Sequence, residues 1–106
     1  MLDPQIKKGL LEVCVLSVVR RGPSHGYQII KDLAPVIAIS ESTLYPILRR
    51  LEGAGCLTAH TVEHQGRLRK IYQITPAGIE QIGSFLDGWA DIMHIYDFIR
   101  KGEPEK

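Results

Sequence analysis

Apolar and polar positions along the chain follow two periods, one typical of helices and one typical of strands. An apolar run from Leu10 to Val19 lies within a predicted first helix over residues 4–20, which ends before Gly22-Pro23. Because the apolar residues cover more than one face, this helix is expected to lie between two surfaces. Ser24 is the expected cap of a short second helix that ends before Pro35.

A third helix is predicted from Ser40, a favoured N-cap residue, to the glycines at 53 and 55. Its apolar residues recur at helical spacing and can bury one face: Leu44, Ile47, Leu48 and Leu51. Pro46 predicts a bent first turn or a later start near Ser42. The opposite side carries side chains that can donate hydrogen bonds to a binding partner, namely Ser42, Thr43, Tyr45 and Arg49. Two short helices joined in this way favour a helix-turn-helix.

Two alternating segments follow, from Leu57 to His64 and from Arg69 to Thr75, and Gly66 between them is suited to a tight turn. They predict a β-hairpin. Three cations lie on its tip and second strand, namely Arg67, Arg69 and Lys70, and no acid occurs between His64 and Gln73. Such a hairpin can contact nucleic-acid phosphates, although basic residues at a hairpin tip, taken by themselves, are more often only a solvated turn.

Thr75-Pro76 begins a long helix that is predicted to run to about Arg100. Its apolar positions form a heptad stripe at Ile79, Ile82, Leu86, Trp89, Met93 and Tyr96, and a second stripe at Phe85, Ile92, Ile95 and Ile99. A body this small cannot cover so much apolar surface. We therefore expect a two-fold homodimer built from the long helix and the first helix, with an interface at Leu10, Ile82, Leu86, Trp89, Met93 and Tyr96.

The composition of this 106-residue chain, 44% hydrophobic and 24% charged, is that of one soluble globular domain. Residues 1–72 hold ten Lys and Arg against six Asp and Glu, a balance of +4, whereas residues 73–106 hold three against six, or −3. A positive body with an acidic C-terminal helix is compatible with a polyanionic partner for the body.

Several function classes find no support in the sequence. No Ser-His-Asp set, carboxylate pair or Gly-rich phosphate loop is present, so neither an enzyme nor a cofactor is expected. Cys14 and Cys56 are expected to be buried thiols, and His60 and His64 would need further ligands to hold a metal. The first apolar run is interrupted by Glu12 and is too short to cross a bilayer, so the protein is expected to be cytoplasmic.

Five motifs in order along nearly the whole chain resemble the PadR-like family of transcriptional regulators. They are Gly22-Pro23-Ser24-His25-Gly26-Tyr27, Thr43-Leu44-Tyr45-Pro46, Arg49-Arg50-Leu51-Glu52, Gly66-Arg67-Leu68-Arg69-Lys70-Ile71-Tyr72 and Thr75-Pro76-Ala77-Gly78. Leu68 and Ile71 depart from the pattern, since the family often has proline and an aromatic residue there. The resemblance implies a mainly α fold with a small β-hairpin: a winged helix-turn-helix over residues 1–74 and a C-terminal dimerisation helix with a short tail over residues 75–106.

The resemblance further implies a repressor or other regulator that binds a two-fold operator in double-stranded DNA. Its DNA contacts would be Ser42, Thr43, Tyr45 and Arg49 of the third helix, Tyr27 of the second, and Arg67, Arg69 and Lys70 of the wing. In similar short members a tryptophan lines a dimer pore, so Trp89, Met93 and Tyr96 are candidates to bind a planar aromatic molecule, or simply to fill the interface. The alternative function is a winged-helix module that binds protein and not DNA.

Overall fold

The computed structural model describes residues 4–102, and six elements occur in the predicted order. The helices are α1 (Pro4–Arg20), α2 (Gly26–Leu33), α3 (Glu41–Gly53) and α4 (Pro76–Lys101), and the strands are β1 (Leu57–His64) and β2 (Arg67–Ile74). This arrangement is a winged helix-turn-helix followed by a long helix, and the predicted fold class is confirmed. Residues 103–106 of the predicted tail lie outside the described residues.

The core lies where α1 packs against all the other helices and β2. Val15, Leu16 and Val19 of α1 are at most 1% exposed, and they meet fully buried residues of α2 and α3, including Ile29 and Leu44. The expectation that α1 lies between two surfaces is therefore confirmed. Its arrangement holds α2 and α3 as one rigid pair, because both bury their apolar faces against the same helix.

The start of α2 differs from the sequence-based prediction. The N-cap residue is His25 and not Ser24, because Ser24 is held in an extended conformation beside the hairpin. The backbone N–H of Ser24 donates to the Tyr72 carbonyl at 3.0 Å, and the Tyr72 N–H donates back at 2.7 Å. Ser24 thus pairs with β2 through a single isolated β-bridge, which fixes the wing against the start of α2.

Helix α3 begins at Glu41, with Ser40 as the predicted N-cap, so the alternative of a later start near Ser42 is wrong. The Ser40 side chain accepts a hydrogen bond from the Thr43 N–H at 3.3 Å, which satisfies one of the free donors of the first turn. Pro46 lies inside the helix and has no N–H, so the backbone carbonyl of Ser42, one turn earlier, lacks its helical hydrogen bond. Ser42 is exposed. At the other end Gly55, and not Gly53, has the left-handed backbone.

The hairpin is tighter than predicted, because β2 begins at Arg67 and not at Arg69. Only Gln65 and Gly66 form the turn, and both have positive φ angles, 51° and 79°. Two left-handed residues in succession match the twist of antiparallel strands, which lets the ladder extend to the last pair, His64 with Arg67. The wing is consequently a short-turned hairpin with its cations in regular strand positions.

Helix α4 begins as predicted, with Thr75 as N-cap and Pro76 in the first turn, and ends at Gly102 in the left-handed conformation. Its first turns pack on the body through Gly78 and Ile82, whereas most apolar side chains from Leu86 onward are exposed. The chain measures 63 Å along its longest axis. Half of α4 therefore belongs to the core and half offers apolar surface to solvent.

Candidate nucleic-acid interface

The exposed side of α3 carries the predicted polar residues. Ser42, Thr43, Tyr45 and Arg49 are all classed as exposed, while the apolar side of the helix is buried. The hydroxyl of Ser40 lies 2.9 Å from that of Ser42 and 3.2 Å from that of Thr43. Three hydroxyls at the start of the helix therefore form one hydrogen-bonded group that limits the rotamers of the two predicted DNA contacts.

Tyr45 lies across the start of α2 and is 38% exposed. A Cβ atom at Gly26 would be 2.9 Å from the Tyr45 hydroxyl and 3.2 Å from its ring, so only a residue without a side chain allows the tyrosine to lie there. Gly26 is also a buried residue of α2. The close approach of the two residues positions the phenol at the junction of α2 and α3.

The three predicted cations of the wing do not have the same surroundings. Side chains alternate across a strand, so Arg67 and Arg69 share one face and Lys70 lies on the other. The Lys70 ammonium is 3.2 Å from a carboxylate oxygen of Glu52 in α3. Among the described residues neither arginine forms an ion pair. Arg67 and Arg69 are therefore available to bind phosphate, while Lys70 already connects the wing to α3.

A cleft of about 570 Å³ separates the wing from the junction of α2 and α3. The side chains that line it include most of the predicted wing and α2 residues: His25, Tyr27, Tyr45, His64, Gln65, Arg67, Leu68, Arg69, Lys70 and Tyr72. Cations and hydrogen-bond donors prevail on its walls. Such a concave, positive surface is suited to a negatively charged chain that passes between the wing and α3.

Tyr27 stands on the rim of this cleft, 62% exposed. The ammonium of Lys31, one turn further along α2, lies 5.5 Å from the centre of its ring. A cation over the aromatic ring adds positive charge at this position. Lys31, which was not among the predicted site residues, therefore places a cation beside the predicted contact residue Tyr27.

His25 connects the cap of α2 with the electrostatics of the cleft. Its Nδ1 accepts a hydrogen bond from the Gln28 N–H at 3.4 Å, which requires the neutral imidazole at that nitrogen. Desolvation lowers the pKa of His25 from the usual 6.5, and the charges of Arg69 and His64 lower it further. The neutral imidazole can therefore accept the capping hydrogen bond, and it also avoids repulsion from the positive charge of Arg69.

Four residues of this surface were missed as site residues in the sequence analysis: Ser40, His25, Gly26 and Glu52. Ser40 was predicted only as the N-cap of α3. The N-cap position also brings its hydroxyl within hydrogen-bond distance of the hydroxyls of Ser42 and Thr43. Glu52 and Gly26 act through contacts with Lys70 and Tyr45, which lie 18 and 19 positions away, and His25 meets the charges of Arg69 and His64 from the distant hairpin. Local sequence patterns carry no signal for such contacts.

The predicted dimer-interface residues divide between the core and the exposed half of α4. Leu86, Trp89, Met93 and Tyr96 are between 37% and 59% exposed. Ile82 is only 5% exposed and belongs to the core of the single chain, which leaves it little surface for a partner. The exposed stretch also includes Ile92, Ile95, Phe98 and Ile99. It forms one large apolar surface that covers the last four turns of the helix.

Next to this surface lies a smaller apolar groove of about 160 Å³ between α1, the end of α2 and α4. The predicted interface residue Leu10 lines it together with Val13, Cys14, Val18 and Phe85. Phe85 also stacks on Trp89, with ring centres 6.0 Å apart and planes within 13°.

Burial raises the pKa of the Cys14 thiol, which is opposite to the shift that a nucleophile requires.

The described residues offer no group of three or more His, Cys, Asp or Glu side chains placed to hold a metal ion. Over residues 4–102 no helix combines the length and the apolar character that crossing a bilayer requires. Cys56 is buried, as predicted, and its thiol donates to the Gln81 side-chain oxygen at 3.0 Å, whereas Cys14, also predicted to be buried, is only partly buried.

Comparison with known proteins agrees with the resemblance seen in the motifs. The family model described as the transcriptional regulator PadR-like family matches residues 15–84. The transcriptional regulator Rv3488 of Mycobacterium tuberculosis is 41% identical over 54 residues, which make up 51% of this chain and 41% of that protein. The match therefore spans less than half the length of this curated relative.

Solved structures share the fold along almost the whole chain. The protein smu.1704 from Streptococcus mutans is 37% identical with a TM-score of 0.75, and the match covers 93% of each chain. A PadR-like transcription factor from Bacteroides fragilis is 32% identical with a TM-score of 0.81, over 90% of this chain and 94% of that one. PadR of Bacillus subtilis, solved with operator DNA, is 24% identical with a TM-score of 0.68, over 73% of this chain and 46% of that one.

Proposed function

We infer that this chain, which belongs to the PadR-like family of transcriptional regulators, is a dimeric repressor that binds two-fold operators in double-stranded DNA. A planar aromatic molecule bound at the dimer interface would release it. The observation that carries the proposal is the cleft between the basic wing and the junction of α2 and α3, where Tyr45 joins it to the exposed polar side of α3. Members of the family are transcriptional regulators and not enzymes.

In the proposed complex the start of α3 enters the major groove. Ser42, Thr43 and Tyr45 lie on its first turns and carry the hydroxyls that can bond base edges or phosphates, with Arg49 one turn further along. Tyr27 and the wing arginines would hold phosphates on either side of the cleft. The structure of the Bacillus subtilis relative with operator DNA supports this choice of partner, since that protein has the same fold.

The apolar surface on α4 supports a homodimer. Eight large apolar side chains from Leu86 to Ile99 are exposed to between 37% and 69%. Isolated soluble proteins rarely expose apolar patches of this extent, and a two-fold partner would cover them. We propose that residues 75–106 act as the dimerisation segment and residues 1–74 as the DNA-binding domain. The two α3 helices would then bind half-sites about 10 base pairs apart, as two-fold helix-turn-helix dimers require.

Charge substitution on α4 tests the dimer. Leu86→Asp places a carboxylate in the apolar surface but not in the core, because Leu86 is 59% exposed in the single chain. We expect monomers by analytical ultracentrifugation, with helicity retained. Ser84→Asp, an exposed position without large apolar character on the same helix, is the control and should remain dimeric. A Leu86→Asp protein that stays dimeric would show that this surface is not the interface.

Trp89, Met93 and Tyr96 are proposed to bind the releasing molecule. Two indole rings related by the dimer axis can stack on a planar aromatic ligand, and the methionine side chain can adapt to its shape. Because Trp89 is the one tryptophan of the chain, its fluorescence reports on this position alone. We expect quenching by members of a panel of planar aromatic compounds, and no quenching across the panel would argue that these residues only fill the interface.

Hydrogen bonds between the start of α4 and the turn that follows α3 support a coupling between α4 and α3. The Thr75 hydroxyl, at the start of α4, donates to the Gly55 carbonyl at 2.6 Å, and the Thr75 N–H donates to the Cys56 carbonyl at 3.1 Å. The Cys56 thiol in turn donates to Gln81 of α4. We propose that the ligand prefers a dimer in which the two α4 helices cross at a different angle from that in the DNA-bound dimer. Because α4 is bonded to the turn after α3, this change would also tilt α3. DNA binding would then weaken by the difference between the ligand's affinities for the two crossing angles.

Salt dependence and two sets of variants test DNA binding. Binding to phosphates weakens linearly in log affinity with log salt, whereas an apolar protein interface responds little, so the slope separates a DNA-binding repressor from a protein-interaction module. Tyr45→Ala should abolish operator binding while the dimer mass and helicity stay unchanged. Arg67→Ala and Arg69→Ala should each lower the salt slope by about one. Lys70→Ala should change the slope less, because Glu52 already pairs with that ammonium.

A further inference from the structure

One ion pair joins the wing to the exposed side of α3. The Lys70 ammonium lies 3.2 Å from Oε1 of Glu52, and the two side chains are 49% and 36% exposed. The same ammonium lies 5.6 Å from the centre of the ring of Tyr72, which is buried. Two contacts therefore direct Lys70 toward the body, whereas Arg67 and Arg69 lie on the opposite face of the strand.

Glu52 lies on the side of α3 that carries the proposed DNA contacts. It follows Tyr45 by seven residues and Arg49 by three, a spacing that places the three side chains on one face of the helix. A carboxylate on this face repels a DNA phosphate unless a cation neutralises it. If Lys70 turned to a phosphate, it would leave Glu52 unpaired beside the DNA. The ion pair is therefore expected to stay closed in the complex.

This pair is also the outermost connection between the wing and the rest of the chain. Nearer the base of the hairpin, Tyr72 exchanges two backbone hydrogen bonds with Ser24. From Lys70 onward to the turn, no hydrogen bond or further ion pair of the described residues joins the hairpin to the body. The tip, with both wing arginines, therefore projects beyond the contact with Glu52.

The position of Lys70 along the hairpin gives the pair leverage over the tip. Measured along β2 from Tyr72, Lys70 lies two residues away, or about 7 Å, and Arg67 lies five residues away, or about 16 Å. A displacement at Lys70 is thus more than doubled at Arg67 when the hairpin pivots at its base. The contact with Glu52 consequently determines where the wing arginines lie relative to α3.

We propose that the ion pair between Glu52 and Lys70 positions the wing, so that Arg67 and Arg69 meet phosphates while α3 lies in the major groove. Lys70 is then not itself a phosphate contact. The proposal rests on the proposed function, because it concerns the same interface with DNA. Glu52 and Lys70 are positioning residues that act through the two arginines. An exposed ion pair changes an equilibrium constant by up to about fivefold, which sets the size of the expected effect.

Charge reversal tests the proposal on an operator selected from random DNA with the unaltered protein. Backbone positions whose protection from hydroxyl radicals is lost in Arg67→Ala or Arg69→Ala are assigned to the wing. Glu52→Lys adds positive charge but sets two ammonium groups against each other, so we expect it to lose protection at the wing positions.

Glu63→Lys is the matched control. It makes the same charge change on the hairpin itself, and Glu63 forms no ion pair among the described residues. We expect this variant to keep the wing protection. Glu52→Lys should bind the operator about fivefold more weakly than Glu63→Lys, although both variants carry the same net charge.

Exchange of the two charges separates positioning from direct phosphate binding. Lys70→Glu should also lose the wing protection, and combining it with Glu52→Lys should restore both the protection and an affinity within about twofold of the unaltered protein. Circular dichroism should be unchanged throughout, because both side chains are exposed.

Two results would overturn the proposal while leaving DNA binding intact. One is equal wing protection in Glu52→Lys and Glu63→Lys. The other is a double variant that binds as weakly as Lys70→Glu alone, which would identify Lys70 as a phosphate contact. Failure of the unaltered protein to bind any selected DNA would instead refute the proposed function, and this inference with it.

Discussion

Gly78→Ala tests whether the contact between α4 and the end of α3 is as tight as the structure shows. A Cβ atom at Gly78 would lie 2.4 Å from the Cys56 carbonyl oxygen and 2.7 Å from Cγ1 of Ile74. Real Cβ contacts are essentially never shorter than 3.0 Å. The oxygen belongs to the backbone and cannot rotate away, so α4 must retreat from the α3–β1 turn by about half an ångström or more.

The expected free-energy change follows from three terms. Overpacking a close contact costs about 1–3 kcal/mol. The shift also strains the hydrogen bond from the Gly78 N–H to the Thr75 hydroxyl at 3.2 Å, and loss of such a cap costs about 1 kcal/mol. Alanine is favoured over glycine in a helix by about 1 kcal/mol, which offsets part of both costs. We expect Gly78→Ala to lower the free energy of unfolding by about 2 kcal/mol.

Gly83→Ala in the same helix is the matched control, since a Cβ there would meet nothing within 4 Å. It should leave stability unchanged or raise it by up to about 1 kcal/mol through helix propensity alone. Urea denaturation followed by circular dichroism measures both variants, at one protomer concentration because dimerisation contributes to stability. If Gly78→Ala matched Gly83→Ala, the close contact and the coupling derived from it would be wrong.

Variants at three further positions follow from the candidate site. Gly26→Ala should weaken operator binding by displacing Tyr45, with little loss of stability, because the atoms that a Cβ would meet belong to the end of a side chain that can move; affinity and melting temperature measured together check both parts. Ser40→Ala should destabilise the fold by about 1 kcal/mol through loss of the N-cap and should also lower affinity, whereas Ser40→Asp should restore stability in a denaturation assay. His25→Asn keeps a capping side chain that does not titrate. Because the pKa of His25 is lowered in the folded state, the unfolded chain binds the proton more readily below pH 6.5, and stability falls as the pH decreases through this value. Melting temperatures between pH 7.5 and 5.5 should therefore fall more in the unaltered protein than in His25→Asn, and equal slopes would show that His25 is not responsible.

Periodicity and end signals were sufficient to predict all six elements and the exposed side of α3. Ser40 and the Thr75-Pro76 pair determine where α3 and α4 begin, and both act through contacts within three residues. The error at the start of α2 occurs because a distant residue decides. Ser24 was the better cap by residue type, but its pairing with Tyr72, 48 positions along the chain, moved the cap to His25.

The candidate site shows the same division between local and distant effects. The exposure of Thr43 and Tyr45 follows from helical spacing, and it was predicted. The pairing of Lys70 with Glu52 depends on how the wing packs against α3, so the sequence could only group Lys70 with the two arginines. Likewise a heptad stripe places Ile82 with Leu86, but only the packing of α4 on the body shows that Ile82 is already buried.

The division of α4 into a buried and an exposed half has a consequence for regulation. Gly78 and Ile82 fix the first turns of the helix to the body, while the surface proposed for dimerisation begins at Leu86 on the same continuous helix. The body cannot turn relative to that surface unless α4 bends or its contact with the α3–β1 turn opens. In the proposed dimer the crossing angle of the two α4 helices therefore sets the separation of the two α3 helices. Release by an aromatic molecule then requires that the Trp89 region stay partly open in the DNA-bound dimer, because a filled interface would leave no alternative crossing angle for a ligand to favour.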